Sequence, residues 1–331
     1  MLKVGLIGRG NISKAHTAAY DKIYAENERA KIVACCDICP QNMEDLPDAR
    51  HYTDIDAFLK EEQGKLDYVD ICLPTYLHAE VAIKAMRMGF DVLSEKPMAR
   101  THALAQEMCR VAKETGRRLM VGQCNRFIGA VAVVKNTVAD GSMGKVRTAE
   151  FTREGGGAPL GYQNWFRDEA LSGGGLLDLH VHDTDLIQYI FGTPKAVSVM
   201  GQNVNPGAGY DIVFANYRFD DFIVSARCDW TIVHDFHATR VLRVNFEKGY
   251  LYLDRTDGKQ TFVKVDEDGT VTDLWELAKT DLFYNELCYF MDALEGETPF
   301  AECLPESCAE SIRIAEAEKQ SADLNGGVVL C

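Results

Sequence analysis

Short apolar runs alternate with stretches of helical period through the first 124 residues. Strand-like runs fall at Lys3–Ile7, Lys31–Asp37, Asp67–Leu73, Asp91–Glu95 and Arg118–Gly122. Between them lie Ser13–Asn27, Asp54–Glu62, His78–Met88 and Ala103–Thr115. In the third of these, Ala79, Ala82, Ile83 and Met86 recur at spacings of three and four, which predicts a helix. Tyr68–Leu73 is nearly continuous in apolar residues, the pattern of a strand covered on both faces in a parallel sheet. Strand–helix–strand alternation of this kind predicts right-handed βαβ units and a doubly wound domain over residues 1–124.

Beyond residue 125 the texture changes. A helical stretch, Phe127–Ala139, leads to a strand near Lys145–Arg153, a glycine-rich loop at 155–161, and a second helix over Leu177–Phe191. Alternating segments follow at Ala196–Val204, Ile212–Phe219, Phe222–Trp230, Arg240–Phe246, Tyr250–Asp254 and Thr261–Val265. Turn pairs such as Asp220-Asp221, Lys248-Gly249, Asp257-Gly258 and Asp268-Gly269 separate some of them, which predicts a large, mostly antiparallel sheet. Two helices, Leu282–Leu294 and Pro305–Asp323, close the chain. The reading is an α/β fold with a second, α+β domain over residues 125–331. One face of its sheet has no evident cover within the chain, which predicts a homodimer or homotetramer.

Charge changes the picture of partners. The formal net charge is −15, with 17 basic and 18 acidic residues in 1–124 but 18 and 32 in 125–331. No basic cluster tracks a phosphate backbone, so a nucleic-acid partner is excluded. No apolar run approaches the roughly 20 residues that span a bilayer. The chain enters a strand directly at its first residues, so neither a leader nor a membrane anchor is expected. Eleven cysteines, an odd number scattered through predicted strands and helices, read as thiols in a reducing cytoplasm.

Three constellations carry chemistry. Gly8-Arg9-Gly10-Asn11-Ile12-Ser13 joins the first strand to the first helix. Gly8 permits the tight turn, Gly10 lets a pyrophosphate approach the backbone, and the helix N-terminus favours its charge. Asp37 ends the second strand, placed for an adenosine ribose, and no Lys or Arg follows it, which favours NAD over NADP. Arg9 is the nearby cation that could receive a 2′-phosphate. Lys96, in Ser94-Glu95-Lys96-Pro97, ends the fourth strand on the rim where doubly wound sheets bind ligands. His78, after Pro74-Thr75, either caps its helix or meets the cofactor. In Gly173-Gly174-Gly175-Leu176-Leu177-Asp178-Leu179-His180-Val181-His182, Asp178 and His182 are four apart and share a helical face, with His180 pointing elsewhere. On a strand, His180 and His182 would instead form an H-x-H metal pair, but Leu186, Ile187, Tyr189 and Ile190 continue the helical period.

With GLIGRGNIS, VDICLPTYLHAEVAIKAMRMGFDVLSEKPMA, NWFRDEALSGGGLLDLHVHDTDLIQYIFG and YNELCYFMDALEGETPF, the chain resembles the Gfo/Idh/MocA family over nearly its whole length. The resemblance implies a Rossmann domain, then an α/β domain whose open sheet serves oligomer contacts. It further implies pyridine-nucleotide oxidoreduction of sugars, polyols or inositols. It assigns Lys96, Asp178 and His182 to catalysis. It assigns Gly8, Gly10, Asn11, Ile12, Asp37, Pro74, Thr75, His78, Glu95 and Lys96 to the cofactor, with Trp165 and Arg167 near the nicotinamide and, for Trp165, the substrate. Arg126 is a further cleft candidate, as are Arg153, Tyr162 and His237. The family often has Gly where this chain has His180. Other readings stay open: an NAD-retaining enzyme performing net hydrolysis, epimerisation or dehydration, a ligand sensor, or a metal-dependent hydrolase on His180 and His182.

Overall fold

The computed structural model describes residues 1–156, 161–232, 239–256 and 258–331; His237 and Asp257 lie outside them. The first 124 residues hold β1 (Leu2–Ile7), α1 (Asn11–Asn27), β2 (Ala30–Cys36), β3 (Arg50–Tyr52), α2 (Ile55–Glu62) and β4 (Tyr68–Ile71). They continue with α3 (Thr75–Arg87), β5 (Asp91–Glu95), α4 (His102–Thr115) and β6 (Leu119–Gly122). Then come α5 (Gly129–Asp140), β7 (Val146–Gly156), α6 (Glu169–Ser172), α7 (Val181–Phe191), β8 (Ala196–Gln202), β9 (Ile212–Arg218) and β10 (Ile223–Ile232). The last are β11 (Thr239–Phe246), β12 (Gly249–Asp254), β13 (Thr261–Asp266), β14 (Val271–Asp273), α8 (Trp275–Ala278), α9 (Leu282–Glu295), α10 (Pro305–Asp323) and β15 (Val329–Leu330).

Two compact units result. One comprises Met1–Cys124 with Asp281–Ala309, the other Asn125–Thr280 with Glu310–Cys331. In the first, six parallel strands run in the order β3-β2-β1-β4-β5-β6. The order reverses between β1 and β4, the switch point beyond which such sheets bind ligands. Tyr68, Val69, Asp70 and Ile71 of β4 are all wholly buried, as their near-continuous apolar run requires. The chain re-enters this unit late: α9 packs along α1, and Phe290 meets Tyr68 edge-on with centroids 5.2 Å apart.

In the second unit, among the described residues, nine strands run in the order β14-β13-β12-β11-β7-β10-β9-β8-β15. All pairs are antiparallel except β7 with β10. Alternation divides the sheet cleanly. Val213, Ala215 and Tyr217 on β9, and Val224, Ala226, Cys228 and Trp230 on β10, are buried inward. The outward face is more polar than a bare apolar surface. Phe214 and Ile223 are exposed there, but Asn216, Arg218 and Arg227 stand beside them. Arg227 lies over Phe214, with its guanidinium carbon 5.7 Å from the ring centroid, and Asn245 bonds Thr148 across the strands at 2.8 Å. Among the described residues, no helix is long and apolar enough to cross a membrane.

Candidate active site

The loop after β1 has the shape its glycines dictate. Gly8 has φ +93°, and a Cβ there would lie 2.5 Å from the Cys72 carbonyl oxygen, so no other residue fits without displacing β4. A Cβ on Gly10 would meet nothing within 4 Å, which leaves the backbone open to a ligand. Gly10 also precedes α1 without offering a side-chain cap, so the helix's first N–H groups face outward for an anion. Ser13, the small residue at the third fingerprint position, is wholly buried and donates to the Gly10 carbonyl at 2.7 Å. Asp37, just past β2, accepts from the Arg9 backbone N–H at 2.7 Å and the Cys39 N–H at 2.8 Å. These residues fit a dinucleotide: the pyrophosphate would be held at Gly8–Ile12 and the adenosine ribose by Asp37. The Arg9 side chain does not extend toward solvent. It is 2% exposed, with Nη2 donating to both Asp45 oxygens at 2.7 and 2.6 Å.

Lys96 is half-buried at the end of β5, and its setting is built on histidines. Glu95 accepts the Lys96 backbone N–H through Oε2 at 3.1 Å. Its Oε1 lies 3.0 Å from His16 Nε2, and His16 Nδ1 lies 2.8 Å from Asp70 Oδ2. Burial alone would lower the His16 pKa, but Asp70 overcomes it by charge and hydrogen bond and raises it well above the usual value. Glu286 of α9 is wholly buried, and neither carboxyl oxygen has a hydrogen-bond partner among the described residues. Burial, reinforced by the charge of Glu95, pushes its pKa well up. His16, Glu95 and Glu286 bring potential ligand atoms within 4.8 Å of one another, as do His16, Asp70 and Cys72. His78 is 1% exposed, with Nδ1 2.8 Å from the Pro97 carbonyl oxygen and Nε2 2.8 Å from that of Leu73. Its ring therefore lies between the two carbonyls of the rim, with burial holding its pKa below the usual value despite them.

In the second unit the segment after the glycines is helical but not uniformly α. Leu176–His180 form one wide π-turn, and α7 begins only at Val181. Gly174, at φ +68°, would place a Cβ 2.5 Å from the Ala208 carbonyl oxygen, so this turn is pressed against the neighbouring loop. Asp178 and His182 are half-buried while His180 is wholly buried, so the helical reading separates them as the four-residue spacing predicts. His180 Nε2 lies 2.9 Å from the Tyr217 hydroxyl, which donates to Glu318 at 2.8 Å. Burial lowers the His180 pKa to about 4 and raises that of Glu318 to about 8. The residues flanking His182 on its C-terminal side are pinned. Arg153 grips Asp183 through two bonds of 3.1 and 2.8 Å. Arg126 grips Asp185 at 2.8 and 2.6 Å. Buried, bidentate pairs of this kind fix orientation.

Arg126 and Arg153, read from sequence as cleft candidates, thus act on α7. Their guanidinium forks meet carboxylates that sit inside a helix and need partners there. Trp165 is 9% exposed and stacks on Phe166 with centroids 3.9 Å apart, whereas Arg167 is exposed. Asn11 is exposed and Ile12 half-buried at the start of α1; Pro74 is half-buried and Thr75 buried at the start of α3. His16, Asp45, Asp70, Glu286, Tyr217 and Glu318 were missed as partners. Asp70 alone carried a signal, a carboxylate within a run that reads as buried on both faces, where it needs a buried donor.

Comparison with known proteins places these features. Residues 2–123 match the oxidoreductase family with an NAD-binding Rossmann fold, and residues 131–252 match the GFO/IDH/MocA C-terminal domain. The chain is 32% identical over 213 residues to 2,7-anhydro-N-acetylneuraminate hydratase of Mediterraneibacter gnavus, covering 62% of this chain and 56% of that protein. It is 28% identical to inositol 2-dehydrogenase of Rhizobium meliloti, covering 64% of this chain and 63% of the relative. These matches thus span less than two thirds of the relatives' own length. In fold it is similar to the WlbA dehydrogenase of Bordetella pertussis, solved with NADH and UDP-GlcNAcA, at a TM-score of 0.86 and 21% identity over 100% of this chain and 97% of that one. With both family domains matched in order, the chain belongs to the Gfo/Idh/MocA family of oxidoreductases with an NAD-binding Rossmann domain.

Proposed function

We propose that this chain is an NAD-dependent oxidoreductase that moves a hydride between nicotinamide and a secondary alcohol of a sugar, polyol or inositol. The observation that carries the reading is the half-buried pair Asp178 and His182 at the start of a helix whose next carboxylates are clamped by buried arginines. Such clamping serves chemistry that needs a fixed geometry. NAD, when bound, supplies the hydride acceptor. His182 takes the hydroxyl proton, since an imidazole titrates near working pH. Lys96 steadies the developing alkoxide with its charge. Asp178 hydrogen-bonds a neighbouring hydroxyl. Lys96 as the proton acceptor is the variant of this scheme that exchanges its first two roles.

Gly8, Gly10, Asn11, Ile12, Asp37, Pro74 and Thr75 are assigned to the cofactor, with Glu95 and His78 supporting the strand ends and Trp165 and Arg167 at the nicotinamide end. Asp37 favours NAD over NADP, because a 2′-phosphate would meet its carboxylate. The family membership supports a small-molecule partner, and the scattered thiols support a cytoplasmic setting. The exposed Phe214 and Ile223 on the open sheet support association of copies, read by light scattering as two or four times the chain mass.

A second reading follows from the likeness to a hydratase: the chain oxidises and re-reduces its substrate around a retained NAD, with net hydration or elimination. One experiment separates the two. Purified protein is given excess NAD and a panel of inositols, aldoses, sugar acids and anhydro sugars, with absorbance at 340 nm and product both followed. Net NADH in step with substrate loss supports the dehydrogenase; substrate loss without NADH supports the second reading, and no conversion of any sugar overturns both.

A further inference from the structure

Beside Asp37 sits a cation that the local structure withholds. Arg9 leaves the backbone at the residue whose N–H bonds Asp37 Oδ2. Its Nε donates to the Asn42 carbonyl at 3.2 Å, and Asn42 in turn donates its side-chain amide to Asp37 Oδ1 at 3.1 Å. The guanidinium therefore shares one small network with the carboxylate assigned to the ribose. Nη1 is held by Thr17 at 2.6 Å and Ser13 at 3.4 Å, both on α1. The remaining fork, Nη2, faces Asp45 alone among these partners, at 2.7 and 2.6 Å. Arg9 is 2% exposed at its side chain and Asp45 is 62% exposed.

The asymmetry of exposure points to the role. A buried guanidinium needs an anion, and here that anion is an exposed side chain, so removing it leaves Arg9 in want of another anion. A phosphate, though tetrahedral, offers a pair of oxygens that an arginine fork can grip bidentately, as it grips a carboxylate. We propose that Asp45 is a cofactor-specificity residue: it occupies the Arg9 guanidinium and so denies NADP the cation that its 2′-phosphate would require. Asp37 repels the phosphate, and Asp45 removes the compensation that the neighbouring arginine would otherwise offer. NAD carries a hydroxyl at that carbon and needs neither group's charge cancelled. The inference rests on dinucleotide binding at this loop and not on which sugar is oxidised.

The test is binding, without substrate. Dissociation constants for NAD⁺ and NADP⁺ are measured by calorimetry on the full chain, wild type and Asp45→Asn, at low and high salt. Asp45→Asn should tighten NADP⁺ about tenfold or more relative to NAD⁺, the scale of one charge-assisted contact, and the gain should shrink with salt. Arg9→Gln added to Asp45→Asn should abolish the gain, since Arg9 is its source. A thermal melt shows whether each variant is folded, and Asp45→Ala repeats the test if Asp45→Asn is not. An unchanged NADP⁺ to NAD⁺ ratio in a folded variant overturns the proposal, as does a gain that survives Arg9→Gln. Failure of the wild type to bind either dinucleotide overturns the reading of the loop itself.

Discussion

His16 and His180 are both wholly buried, yet the two units hold them in opposite states. In each case burial is the largest influence and pushes the imidazole toward neutrality. His16 escapes because Asp70, 2.8 Å from Nδ1, outweighs desolvation by its charge and hydrogen bond, with Cys72 adding to it. His180 does not, because its near neighbour is the Tyr217 hydroxyl, and the carboxyl behind it, Glu318, is itself pushed up to about 8. The first unit sets a histidine with a raised pKa against Glu95, which accepts the Lys96 N–H, and the second one with a lowered pKa against Tyr217. Partners within about 3 Å, not depth, decide the charge of a buried histidine.

The comparison breaks most readily at Asp70. Asp70→Asn leaves His16 with an uncharged partner and also weakens the bond from Tyr20, which donates to the same oxygen at 3.0 Å. Breaking a buried ion pair from one side costs about 3–5 kcal/mol, and urea unfolding should show a loss of that size; a loss below 1 kcal/mol would mean that His16 is neutral. Tyr217→Phe is the counterpart in the second unit. It removes the hydroxyl between His180 and Glu318 and should cost about 1–3 kcal/mol, the price of an unsatisfied buried group.

Titration sharpens the contrast with a smaller effect. A histidine whose folded pKa is raised stabilises fully below its unfolded value, about 6.5, and loses that contribution as pH rises through the folded one. His16 therefore weakens the first unit only on the alkaline side. His180 behaves in reverse: its contribution is present above about 6.5 and is lost as pH falls toward its folded pKa of about 4. His180→Gln should flatten the acid arm of a stability–pH profile over that window. Histidine NMR signals should show one imidazolium at neutral pH and one ring still neutral near pH 5; two rings titrating together near 6.5 would erase the distinction. Smallest of all is Glu286→Gln, which keeps the shape of a buried group whose raised pKa already disfavours charge, and it should change the neutral-pH stability by less than about 1 kcal/mol in urea unfolding.

Much of this was legible in the chain. The fingerprint glycines, Asp37, the parallel strands and the helical period after His182 follow from local spacing, because turns and helices are short-range objects. The edge strand β3 has three residues and the terminal β15 has two, too few for a pattern to register. The parallel pairing of β7 with β10 joins segments far apart in sequence, and no local signal encodes it. The same holds for Asp45 with Arg9, Asp185 with Arg126 and Glu318 with Tyr217, pairs whose members lie far apart in sequence. The π-turn at Leu176–His180 and the close approach of Gly174 to the Ala208 carbonyl just before it have no local signal either.

In the proposed reaction the half-buried His182 does the chemistry and its buried neighbour His180 only holds the turn. Turnover of His182→Ala and His180→Ala, measured side by side with the sugar the NADH screen identifies and with NAD binding as the control for folding, tests it most directly. His182→Ala should lose about 10²–10⁴ in rate while still binding NAD, as loss of a positioned base does, and His180→Ala should keep most of its activity. Equal losses in the two variants, or full activity in His182→Ala, would contradict the account.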